Sequence, residues 1–194
     1  MFNKDKSKII AFRDENTTSY IIPDGVTSIG DWAFNGCSGL ADIVIPDSVT
    51  SIGDYAFGDC SSLSSVVIPD SVTSIGAWAF FCCSDLADIV IPNSVTRIGD
   101  SAFCDCSSLS SVVIPDSVTS IGAWAFSSCE SLTSIIIPDS VTSIGKCAFY
   151  DCSSLTNIVI PDGVTSIGYS AFEGCNFPND IEQELISRFG YKIF

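Results

Sequence analysis

The chain is expected to fold as a repeat solenoid of 23-residue coils, and three observations lead there. Proline stands at Pro23, Pro46, Pro69, Pro92, Pro115, Pro138 and Pro161, a step of 23 residues each time. An Ala-Phe pair keeps the same step from Ala33-Phe34 through Ala79-Phe80 to Ala171-Phe172. Cysteine keeps it too, at Cys37, Cys60, Cys83, Cys106, Cys129, Cys152 and Cys175. A short fixed period of this kind marks units that cannot bury an apolar side alone and gain stability by stacking on their neighbours. Residues 61–80 and 107–126 are identical, so the array looks like a duplicated pair of coils.

The unit can be read on residues 63–85. Leu63, Val66 and Ile68 point inward from a short strand, with Ser65 and Val67 facing out by two-residue alternation. Pro69 ends the pairing because it has no N–H to give. Pro69-Asp70-Ser71 turns the chain, proline presetting φ and aspartate bonding its own backbone. Val72 and Ile75 return to the core along a second short extended segment, leaving Thr73 and Ser74 exposed. Gly76 is read as a sharp bend, Ala77 to Phe80 as a helical turn that drives Phe80 inward, and Cys83 and Leu86 as the closure of the coil. Leucine-like positions at fixed offsets in a period of this length are the pattern of a leucine-rich repeat. The expected architecture is a leucine-rich-repeat solenoid with a short parallel β-sheet on the concave face, strands and helical turns elsewhere, and a C-terminal capping helix.

The ends depart from the unit. Residues 1–22 read as a worn half-repeat that covers the first coil, 23–175 as the solenoid and 176–194 as a helical cap. In the first, Ile9 to Phe12 and Tyr20 to Ile22 are apolar runs around a polar stretch, a loose hairpin signal. In the last, Asn179 with Glu182 is a capping-box pattern. Ile181, Leu185, Ile186 and Phe189 form one apolar face, and Gly190 is a stop signal. That face suits the last coil better than a membrane surface, since three acids and one base lie between Asp180 and Arg188.

The composition bounds the function. Hydrophobic residues make up 46% and mean hydropathy is +0.41, ample for a core. The longest apolar run, Ala77 to Cys83, is far short of the roughly 18 residues that span a bilayer. The first residues lack the apolar region of a secretory signal, which points to a cytoplasmic protein or to a mature or excised fragment. Pro23 to Cys175 carries seventeen acids and only two bases, Arg97 and Lys146, and the flanks cancel to leave the net charge of −15. Such a surface cannot neutralise phosphates, which argues against nucleic acid and anionic membrane as partners. Its acidity keeps a β-rich array soluble. Histidine is absent, so neither a Ser-His-Asp nor a Cys-His pair can form. The cysteine column reads as small buried hydrophobes. Cys82, Cys104 and Cys147 fall off the repeat, and a Cys82–Cys104 bridge is geometrically conceivable. Nothing in the pattern calls for a cofactor or a metal.

The unit IPDSVTSIGxxAFxxCSSLxxVV resembles the BspA-like, or Treponema pallidum-type, leucine-rich repeats over residues 20–175, and the end at Arg188-Phe189-Gly190 is similar to caps that follow such arrays. The resemblance implies a cell-surface or secreted setting and an adhesin-like role. The expected ligand is a protein, from host matrix or another cell surface, or a glycan. An enzyme is not expected from the residues themselves, since the repeats hold almost no lysine and their aspartates lie on loops.

Two columns are candidate binding surfaces. The sheet should present Val44, Val67, Val90, Val113, Ile136 and Val159 to solvent, beside Asp42, Ser65, Asp88, Ser111, Ser134 and Asn157. Such a strip is either an interaction site or the plain result of β-branched residues favouring strands. The second column holds Trp32, Tyr55, Trp78 and Trp124, with Ser101, Cys147 and Ser170. Aromatics anchor interfaces and sugar rings, but packing against the neighbouring coil is the preferred reading here. The aspartates after each proline are read as turn residues rather than calcium ligands, and the threonine row as exposed strand rather than a crystal-face template. Self-association, by stacking or lateral packing of copies, is the alternative to a binding module.

Overall fold

The computed structural model describes residues 1–14 and 16–194; Glu15, inside the polar stretch near the N-terminus, lies outside the described residues. Alternation works as the sequence demands: Leu63, Val66 and Ile68 are buried, while Ser65 and Val67 are exposed. Equivalent strands recur from Ser19–Ile21 and Asp42–Val44 to Asn157–Val159. They pair in parallel, each residue opposite its counterpart one coil on, as Asp42 opposite Ser65 and Ser134 opposite Asn157, in sheets of three, two and two strands; a Val67–Val90 bridge links the first two, and the pairing is interrupted between Ser111–Val113 and Ser134–Ile136. A second row of two-residue strands runs from Lys8–Ile9 and Ser28–Ile29 to Ser166–Ile167. It forms two four-stranded sheets that part between Ser74–Ile75 and Arg97–Ile98.

The third side of the coil is a run of turns where a helical turn was expected. Trp78 and Cys82 have φ of 59° and 55°, and both positions are left-handed in every coil. Left-handed residues interrupt a right-handed helix. The N–H groups therefore alternate in direction. Those of Trp78 and Phe80 donate to the next coil, to the carbonyls of Asp100 and Ala102 at 2.9 and 2.8 Å. Those of Phe81 and Cys83 donate back within the turn, to Trp78 and Phe80 at 3.1 and 3.3 Å. All three sides are thus laced from coil to coil by backbone hydrogen bonds.

Two turn assignments change. At Gly76, read as a sharp bend, φ is not positive, and a Cβ there would lie 2.6 Å from the Asp54 nitrogen and 2.6 Å from the Gly53 carbon. Glycine is needed because the coil below passes too close for any side chain. At Pro69-Asp70-Ser71 the turn closes through Val72 N–H on the Pro69 carbonyl at 3.0 Å. Its side-chain bond comes from Ser71, whose hydroxyl donates to the Val49 carbonyl of the preceding coil at 2.6 Å, not from the aspartate. Ser48, Ser117 and Ser140 repeat it.

The interior is a single ladder. Phe34, Phe57, Phe80, Phe103, Phe126, Phe149 and Phe172 are fully buried and stack ring on ring at 5.2–5.6 Å. Behind them each column thiol from Cys60 to Cys175 donates to a phenylalanine carbonyl of the preceding coil, as Cys83 to Phe57 at 3.2 Å. Burial pushes the Cys60 thiol up to about 12, and raises Cys83, Cys106 and Cys129 as well.

Both ends are covered, though not as the sequence suggested. Ile9 to Phe12 and Tyr20 to Ile22 do not form a hairpin with each other. Lys8–Ile9 pairs in parallel with Ser28–Ile29, and Ser19–Ile21 with Asp42–Val44, so the two runs belong to different sheets. Among the described residues the antiparallel pairing is Phe2 with Ile9. Phe12 extends the ring ladder, 5.2 Å from Phe34. At the other end α1 (Asn179–Phe189) begins from Pro178 without a side-chain cap, so the capping box does not form; its stop at Gly190, with φ of 80°, is as expected. Leu185 is buried, and Ile181 and Phe189 pack against the core. Arg188 donates to the Ile160 and Pro161 carbonyls at 2.8 and 2.9 Å. The carbonyls of Lys192 and Ile193 accept from Ser170 and Phe172 N–H, both at 2.8 Å. The cap thus meets the backbone groups that a further coil would have met.

Candidate binding faces

The longer strands present one apolar side chain per coil to solvent. Val44, Val67, Val90, Val113, Ile136 and Val159 are 54–80% exposed. Ile21, 69% exposed, is a seventh member that the sequence reading missed, although it stands one period before Val44. Stacking of the coils sets these side chains in one row, although backbone pairing is interrupted between Val113 and Ile136, and Asp42, Ser65, Asp88, Ser111, Ser134 and Asn157 line its edge, all exposed. Two shallow grooves open along it. One, of about 520 Å³, is bordered by Asp47, Val67, Asp70, Asp88 and Val90; the other, of about 400 Å³, by Ser111, Val113, Asp116, Ser134 and Ile136.

The aromatic column packs mainly on itself. Trp32 and Tyr55 stack at 3.9 Å with planes 8° apart, and Tyr55 and Trp78 at 5.4 Å and 2°. Phe81, which no repeat position announced, sets its edge on Trp78 at 5.1 Å. The faces of Tyr55 are therefore taken by its neighbours, while Trp32 stays 54% exposed. The next position is Ser101, buried and left by its coil in the gap between Trp78 and Trp124. Trp124 stands apart from the stack, tilted 52° to Tyr150 with the Lys146 ammonium 5.9 Å from its ring.

A third, polar groove of about 690 Å³ lies along the left-handed column, between Asp59, Cys82, Asp105 and Ser128. Cys82 is half-buried and Cys104 buried; both are free thiols. Burial, and then the Asp105 carboxylate, raise Cys82 to about 11 and Cys104 to about 12. A thiol held protonated in this way is a poor nucleophile. Among the described residues no three acids or cysteines gather in a metal-holding group, and no helix is long and apolar enough to cross a membrane.

Comparison with known proteins gives a consistent picture. A family model described as BspA type leucine rich repeat region matches residues 8–132 and 81–194 in six copies. Among solved structures, a T. pallidum leucine rich repeat protein is 33% identical with a TM-score of 0.89, the match covering 99% of this chain and 92% of that one. A leucine-rich repeat protein from Bacteroides ovatus is 39% identical with a TM-score of 0.80, over 82% of this chain. One from Eubacterium ventriosum is 29% identical with a TM-score of 0.82, over 92%. The matches span only 42% and 49% of those last two proteins. Among curated proteins none matches the chain.

Proposed function

The chain belongs to the BspA-type leucine-rich-repeat family, and from that premise we propose that it is a binding module that recognises a protein ligand through the valine strip of its longer-strand sheet, in an adhesin-like role at a cell surface. One observation carries this reading. Seven branched apolar side chains stand in one row, each at least half exposed, where the largest apolar patch of an ordinary monomer is a few hundred Å² and is often functional. Strand propensity alone accounts for branched residues here, but it does not require the flanking positions to be serine, aspartate and asparagine, which are small enough to leave the strip open. A catalytic reading has little support from this face: the strip and its aspartate flank repeat the same chemistry from coil to coil.

The competing reading is assembly of copies end to end. It meets an obstacle in the covered ends, with Phe2 paired on Ile9 at one and Arg188 bonded to the Ile160 and Pro161 carbonyls at the other. Light scattering across concentration separates the two, since a strict monomer excludes assembly. For the binding reading, Val67→Lys with Val113→Lys is expected to leave the circular-dichroism spectrum unchanged. It should abolish capture of whichever partner the native chain retains from host matrix or from cells expressing it. Undiminished capture by the double variant would remove the sheet face from consideration.

A further inference from the structure

The charge and spacing of the valine strip select the kind of partner it fits, an inference that rests on the binding role above. Three residues after each strip position stands the turn residue: Asp24, Asp47, Asp70, Asp116, Asp139 and Asp162, all exposed and interrupted by Asn93. The opposite edge carries Asp42 and Asp88 among serines. Neither base of the coils offsets these rows. Arg97 pairs with Asp100 at 3.2 Å, and Lys146 lies over Trp124. A second copy of the chain would set one acidic row against another, with a charge of −15 on each partner, so self-docking on this face is opposed. The strip calls for an apolar stripe bordered by cations. Among the described residues the aspartate row meets a cation once, and a helix supplies it: Arg188 of α1 stands 3.7 Å from Asp162.

Spacing decides the backbone of the partner. Neighbouring strands lie about 4.8 Å apart, so the six steps from Ile21 to Val159 span about 29 Å. Side chains on one face of an α-helix recur about every 5.4 Å, so a helix laid along the strip drifts by about 0.6 Å per coil and accumulates about 3.6 Å only over the full row. Same-face side chains of an extended strand recur about every 6.7 Å and fall out of step within two coils. We propose that the strip docks an amphipathic α-helix of about 20 residues from a partner protein, its apolar stripe on the valine rungs and a lysine or arginine row along the aspartates.

The probe is a fluorescein-labelled 21-residue designed peptide with a leucine stripe at helical spacing and lysines down one flank. It is compared with a glutamate version and with an alternating, strand-patterned peptide of the same composition, by anisotropy at physiological ionic strength. The lysine helix should bind, the glutamate helix should not, and the strand-patterned peptide should bind at least tenfold more weakly. Val67→Ser with Val113→Ser, which removes two apolar rungs at constant charge, should weaken binding by about tenfold or more. Asp70→Asn with Asp116→Asn should weaken it roughly three- to tenfold, whereas Asp59→Asn with Asp105→Asn, which removes the same charge from the polar groove, should leave it within about twofold. Equal losses from both aspartate pairs, indifference to the valines, or preference for the strand-patterned peptide would each overturn the helix. If no helical probe binds while partner capture still depends on Val67 and Val113, the helix inference falls and the binding role stands.

Discussion

At the scale of single residues the fold rests on identical side chains placed in identical surroundings. Phe80 is fully buried between Phe57 and Phe103, at 5.2 and 5.4 Å. Close stacking leaves little room for collapse, so Phe80→Ala should cost about 3–5 kcal/mol in urea unfolding. The cysteine column makes a separate prediction. An unfolded chain sheds thiol protons from its ordinary value of 9.0 upward, whereas buried Cys60 keeps its proton to about 12. Between those values the unfolded state binds fewer protons, so stability must fall as pH rises. Each such thiol contributes up to about 1.4 kcal/mol per pH unit to the slope. Melting temperatures at pH 8, 9 and 10 should decline steadily, and Cys106→Ala with Cys129→Ala should flatten the decline; identical slopes would dismiss the column as its cause. Inward positions such as these were legible because burial follows directly from apolar periodicity. The roles of Gly76 and Ser71 were not, because each is defined by backbone of the preceding coil, from Gly53 to Asp54 and at Val49.

At the scale of elements, what could be read from sequence depended on whether an element's partner was local. Strands were legible, their partners being their own repeats. The run of turns at Ala77–Phe80 was not: helix and alternating left-handed turns share the same apolar spacing, and the choice is made by bonds to Asp100 and Ala102 one coil on. The N-terminal runs mimic a hairpin in composition, yet each is drawn into a different sheet. For α1 the capping box failed and an unforeseen contact took over, Arg188 on the Ile160 and Pro161 carbonyls of the last coil. Two substitutions test this account. Asn179→Ala should change stability by less than about 0.5 kcal/mol, since no cap bond is lost. Arg188→Ala should leave two carbonyls without their donor and cost roughly 1–3 kcal/mol. Hydrogen exchange should then show α1 losing protection while the coils up to Phe126 keep theirs. If Asn179→Ala is the more harmful of the two, the helix is held by its N-terminus instead.

At the scale of the whole molecule, identical sequence does not give an identical surface. Trp78 and Trp124 sit in the same twenty-residue segment, yet Trp78 stacks on Tyr55 and Trp124 does not, because Ser101 and Cys147 are its neighbours along the column. The valine strip was legible because its neighbours are alike in every coil; its aspartate flank was read as turn chemistry, because the relation between two columns appears only when the coils are stacked. The duplication permits one decisive construction. Deleting residues 81–126 joins Phe80 to Ser127 and recreates the native Phe126–Ser127 junction, since residues 61–80 repeat 107–126. Every remaining coil then keeps a neighbour of native sequence in its core columns, and stability in such an array is close to a sum over coils and their interfaces. The shortened chain should fold cooperatively, with a urea m-value reduced roughly in proportion to the chain removed. The deletion also takes Val90, Val113 and Asp116 out of the strip. A helical ligand spanning the full row should lose at least about tenfold in affinity for the folded, shortened protein. One that engages a single end of the row should not. Affinity unchanged beside a reduced m-value would confine recognition to the coils that remain, and affinity lost in proportion would make the length of the strip itself the determinant of binding.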